Sequence, residues 1–83
     1  MSTYSKRLKN LNLSGLSFVD SNASFGDFSN SNLANVDFSH ANLAYANLSK
    51  SILTHADFYD ANLSDVKLQK ALFLKPTSPV LQT

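Results

Sequence analysis

Large apolar side chains return at every fifth position: Leu8, Leu13, Phe18, Phe28, Leu33, Phe38, Leu43, Leu48, Leu53, Phe58, Leu63, Leu68 and Phe73. Ala23 alone breaks the series. A spacing of five fits neither the period of an α-helix, about 3.6, nor the two-residue alternation of a strand. The chain must therefore turn at regular intervals around an apolar axis. That is the pattern of a solenoid, and solenoids usually act as surfaces rather than reaction vessels.

The positions around each large residue, here called the centre, are also patterned. Two before it the residues are small or modest: Ser21, Gly26, Ser31, Val36, Ala41, Ala46, Ser51, Ala56, Ala61, Val66 and Ala71. One before it stand Asn12, Asn22, Asp27, Asn32, Asp37, Asn42, Asn47, Asp57 and Asn62. The two positions after it are mainly Ser, Ala, Asn, Asp, His or Lys. Centre and small residue lie two apart, so on an extended segment they share a face and both point inward. Asn and Asp suit the bends, because they bond to neighbouring backbone groups and tolerate unusual dihedrals.

The motif stands as Ala41-Asn42-Leu43, Ala46-Asn47-Leu48, Ala56-Asp57-Phe58 and Ala61-Asn62-Leu63, with looser copies from about Lys6 to Lys75. It resembles the pentapeptide-repeat family. The resemblance implies an all-β fold, a right-handed quadrilateral β-helix in which four repeats make each twenty-residue coil. Residues twenty apart would then stack. Phe18, Phe38 and Phe58 form one such column; Leu8, Phe28, Leu48 and Leu68 a second; Leu13, Leu33, Leu53 and Phe73 a third; Ala23, Leu43 and Leu63 the fourth. About 3.5 coils at ~4.8 Å each would stand only about 17 Å tall. Residues 6–75 are expected to form this coil, with 1–5 as an N-terminal cap and 76–83 as a tail.

Open coil ends need caps. Tyr4, with the larger inward residues Leu11 and Leu16, is expected to close the first coil. Pro76 and Pro79 stop the repeat, since proline cannot donate to a ladder. Val80 and Leu81 have the reach to fold back over Leu68 and Phe73; the alternative is a bare end that pairs with a second copy. At the one irregularity, Phe25 is expected to fold over the gap left by Ala23, in preference to an open notch there, because cavities in small cores are costly.

Composition narrows the rest. Eighty-three residues without cysteine exclude disulfides, thiolate metal sites and thiol nucleophiles. No apolar stretch is long enough to span a membrane, and Met1 to Asn10 lack a signal-peptide core, so a soluble, cytoplasmic protein is the expectation. Only two Gly and two Pro are present, so the repeat itself must bend the chain. A net charge of +1 argues against strong attraction to nucleic acid or an anionic membrane.

That near-neutral total hides a separation. The face carrying Phe18, Phe38 and Phe58 also carries Asp20, Asp37, Asp57 and Asp60, with His40 and Tyr59. The opposite face carries Arg7, Lys9, Lys50, Lys67 and Lys70 against Asp27. Phe25, Tyr45 and Asp65 align on a third. Asp20, Asp37, His40, Asp57, Tyr59 and Asp60, with Phe25 and Tyr45, are the candidate interaction surface.

Chemistry is not expected. His40 and His55 fall on adjacent faces with no third ligand converging, so no metal site is read here. The carboxylates project from a convex wall into water, the serines have no paired base, and there is no glycine-rich phosphate loop. No cofactor is called for. The expected function is a non-catalytic structural or protein-interaction module whose partner is another protein, with end-to-end self-association as an option. The resemblance implies an alternative: some relatives mimic duplex DNA and protect DNA gyrase from quinolones or toxins, although those relatives look longer and strongly acidic. Direct nucleic-acid binding through the five basic residues is not expected, because aromatic interleaving is missing from that face.

Overall fold

The computed structural model describes residues 7–73. The proposed cap 1–5 and tail 76–83, with Tyr4, Val80 and Leu81, lie outside the described residues. Within them the residue one before each centre pairs in parallel with the residue twenty further on, from Arg7–Asp27 through Asp37–Asp57 to Ile52–Leu72. The chain thus completes one coil every twenty residues. Each pairing is a single-residue bridge, and among the described residues no longer strand forms.

Four turns per coil make so short a contact sufficient. From Leu13 to Leu68 each centre carbonyl accepts the N–H three residues on, as in Ala41 to Phe38 at 3.0 Å and Ala46 to Leu43 at 3.0 Å. The residue two after the centre takes a positive φ: 54° to 64° from Asn10 to Lys70, and 76° at Gly15. A positive φ at the third residue of a four-residue turn marks a type II turn.

Repeat 41–45 shows where its backbone donors go. Ala41 N–H closes the preceding turn on Phe38, Asn42 N–H reaches back to Ser21, and Leu43 and Tyr45 N–H reach forward to Asn62 and Ser64. The fifth, Ala44 N–H, donates to Asn42 Oδ1 at 3.0 Å. No N–H in the repeat lacks a partner, as a tightly wound backbone requires.

This explains the Asn/Asp positions and corrects part of the expectation. Each of the nine Asn or Asp residues placed one before a centre accepts from the N–H two residues on. The unusual dihedral does not fall on them. It falls three residues later, on whichever residue stands there, including Phe25, His40, Tyr45, Lys50 and His55. For a non-glycine residue that conformation costs roughly 1 kcal/mol or more. It is tolerated because the same residue donates into the next coil, as Tyr45 does to Ser64.

Side chains fill the axis. Phe28, Leu33, Phe38, Leu43, Leu48 and Leu53 are buried, joined by Val36, Ala41 and Ala46 from the small positions. Leu8, Leu13, Phe18 and Phe58 pack against this cluster in part. The phenylalanine column is continuous: Phe18–Phe38 stack at 5.2 Å and Phe38–Phe58 at 5.5 Å. Buried serines are satisfied within the wall. Ser31 Oγ donates to Leu8 O at 2.6 Å, and Ser51 Oγ donates to Leu48 O at 2.6 Å.

Three expectations need correction. Leu63, Leu68 and Phe73 occupy centre positions but are 38%, 37% and 46% exposed, since among the described residues no coil stacks beyond them. Leu11 and Leu16 likewise stay exposed and do not close the first coil. Phe25 does not fold over Ala23. It turns outward, while Ala23 is itself buried and no notch opens there. Nearby, the Phe28 ring meets Phe18 and Phe38 edge-on at 5.9 and 5.7 Å. A β-carbon at Gly26 would stand 2.7 Å from that ring and 2.9 Å from Ala23 O. Gly26 makes room for this ring.

Candidate interaction surface

Outward groups stand in columns because residues twenty apart are paired from coil to coil. Along the Phe18/Phe38/Phe58 wall, Asp37 and Asp57 are bridged one coil apart. Each turns an oxygen onto its own chain, accepting from Ser39 N–H and Tyr59 N–H, both at 2.9 Å. The Ser39 side chain and then its backbone N–H hold the Asp37 carboxyl below its ordinary value. Asp37 therefore stays ionised in neutral water.

Asp20, His40 and Asp60 share one corner, all at positive φ, and are linked coil to coil by Asp20 N–H to Ser39 O and His40 N–H to Tyr59 O. His40 Nδ1 and Asp60 Oδ2 lie 2.9 Å apart, both exposed. The Tyr59 ring meets the His40 ring edge-on at 5.5 Å. The structure thus gathers Asp37, His40, Asp57, Tyr59 and Asp60 on one side, with Asp20 in the same corner column. The His40–Asp60 contact was not read from the sequence, although their spacing of twenty was the signal for it.

Opposite this wall, Arg7 bridges to Asp27 and Asn47 to Lys67. Asp27 accepts from the Ser29 hydroxyl at 2.7 Å, and this bond, ahead of the nearby Lys9 and Arg7 charges, lowers its pKa. Lys50 and Lys70 occupy successive positive-φ corners, where Lys50 N–H donates to Gln69 O. On another corner Phe25 and Tyr45 stack at 4.9 Å, 8° from parallel, while 72% and 52% exposed. His55 sits on a different corner from His40, and among the described residues no group of three His, Cys, Asp or Glu could hold a metal ion.

Among the described residues no helix is long and apolar enough to cross a membrane. A search of curated proteins finds no significant match. The family model described as pentapeptide repeats matches eight copies over residues 31–69, which hold most of the buried core. Over these residues the repeats match the pentapeptide-repeat family.

Proposed function

We propose that this protein is a non-catalytic interaction module, a filled post whose walls display side chains in fixed columns for another protein to bind. One observation carries the reading: the axis is occupied by side chains while each described repeat ends in a tight turn. Outward groups then have no cleft in which to converge on a substrate, and regular walls are how repeat proteins recognise partners. A right-handed quadrilateral β-helix is part of the same proposal, supported by four turns in each twenty-residue coil. So is a cytoplasmic setting, which suits a chain without cysteine.

The test is capture by the immobilised, folded chain, compared with surface variants of unchanged melting temperature. A partner retained by the wild type and lost on replacing Asp20, Asp37, Asp57 and Asp60 with Asn, or Phe25 and Tyr45 with Ser, is the expected result. Capture indifferent to every outward substitution, or no capture at all, overturns it.

The acidic wall favours one alternative, a mimic of nucleic acid acting on a DNA-binding enzyme such as gyrase. Asp37 and Asp57 one coil apart, beside the Asp20 and Asp60 corner, motivate it. A supercoiling assay unaffected by micromolar protein disposes of this reading. Direct binding of nucleic acid is not proposed, and a mobility shift at low salt would be the sign against that position.

A further inference from the structure

Opposite charges occupy opposite walls of one rod. Asp20, Asp37, Asp57 and Asp60 stand on one side; Lys50, Lys67 and Lys70, with Arg7 and Lys9, stand on the other. Among the described residues the one ion pair is His40–Asp60, so the lysines of the basic wall have no carboxylate bound to them. Asp27 is the acidic group on that wall, and it is engaged by Ser29 beside Lys9 and Arg7.

The lysine corner is also costly as built. Lys50 and Lys70 both hold a positive φ, and they stand one coil apart, about 5 Å, where like charges repel. Asn10 and Asn30 hold the same corner in the earlier coils, uncharged and with side chains that suit a positive φ better.

We propose that the acidic wall of one copy docks on the basic wall of a second copy, side by side. The occupant follows from the spacing. Asp37 and Asp57 on one wall, and Lys50 and Lys70 on the other, are separated by one coil each, so the two charge columns share a single axial repeat. Any partner with a different repeat would drift out of register; a second copy of this chain cannot. Tight turns at each corner leave no long loop on either wall to hold the copies apart. Because the two docking walls are different surfaces, the contact is heterologous and does not close, so copies add in a row. This inference is independent of the protein-partner reading, which stands or falls on its own capture experiment.

The test uses sedimentation or light scattering of the full chain across a concentration series. The wild type is expected to gain mass with concentration at about 0.02 M salt and to be monomeric at about 0.3 M, where screening shortens to less than one side-chain length. Two variants break one wall each: D20N/D37N/D57N/D60N and K50N/K67N/K70N. Every change installs Asn, which the chain already places at both turn positions involved. Each variant alone is expected to remain monomeric at low salt. Mixed, they retain one intact acidic wall and one intact basic wall, and mass should rise to a pair and stop. A wild type that stays monomeric at millimolar concentration and low salt overturns the proposal. Association that ignores salt, survives in either variant, or stops at a dimer in the wild type overturns it as well.

Discussion

Leu43 and Leu63 occupy the same position in equivalent repeats one coil apart, and close equivalent turns at 3.0 and 3.2 Å. Leu43 is fully buried and Leu63 is 38% exposed. Leu48 and Leu68, or Leu53 and Phe73, differ in the same way. Local structure is therefore identical where burial is not. A repeat sets the direction of its side chain, but the next coil is what removes it from water. Stability in such a stack accumulates from contacts between neighbours, so inner coils should carry most of it.

Truncation should expose that difference most strongly. Leu43→Ala is expected to cost about 3–4 kcal/mol and Leu63→Ala about 1 kcal/mol, read by urea unfolding, because only the first leaves a closed cavity. Equal losses would mean that the last coil is covered as well as the middle one. Gly26→Ala comes next. A β-carbon 2.7 Å from the Phe28 ring must displace a side chain wedged against Phe18 and Phe38, at a cost of about 1–3 kcal/mol. A second change, Phe28→Leu, should recover part of it.

The turn acceptors give a smaller contrast. Asn42→Ala, which leaves the half-buried Ala44 N–H without its acceptor, should cost about 1 kcal/mol. Asn62→Ala should cost about half of that, since water can reach the exposed Ser64 N–H. The smallest effect is on acid stability. Asp27 and Asp37 are held below the ordinary 3.8, so what they contribute is complete above that value and is lost as pH falls through their lower folded values. D27N/D37N keeps both acceptors and removes the titration. Any wild-type advantage in melting temperature at about pH 5 should therefore shrink towards about pH 2.5. An advantage that grows on acidification would contradict the assignment.

What could be read in the sequence was whatever the repeat enforces: the five-residue period, the stacking of Phe18, Phe38 and Phe58, and the grouping of charges by wall. What escaped depended on contacts across coils or on conformation without a compositional mark. Positive φ was only partly signalled: Asn10, Gly15, Asp20, Asn30, Asn35, Asp60 and Asp65 favour it, but Phe25, Tyr45, Lys50 and Lys70 in the same position do not. Phe28 gave no sign that its ring would lie against Gly26 and reach Phe18 and Phe38 across the axis, because those contacts join different walls and coils. Leu63, Leu68 and Phe73 looked like core because sequence position states where a side chain points, not what covers it.

The twenty-residue coil underlies all of this, and cross-linking measures it directly. The chain has no cysteine of its own. Ile52 and Leu72 are bridged, which places their Cα atoms at about 4.8 Å, within disulfide reach. The variant I52C/L72C should oxidise rapidly to a monomeric cross-linked chain with raised stability. I52C/K67C, fifteen residues apart and one wall short of a coil, should stay reduced. Cross-linking of the second pair in preference to the first would contradict the coil.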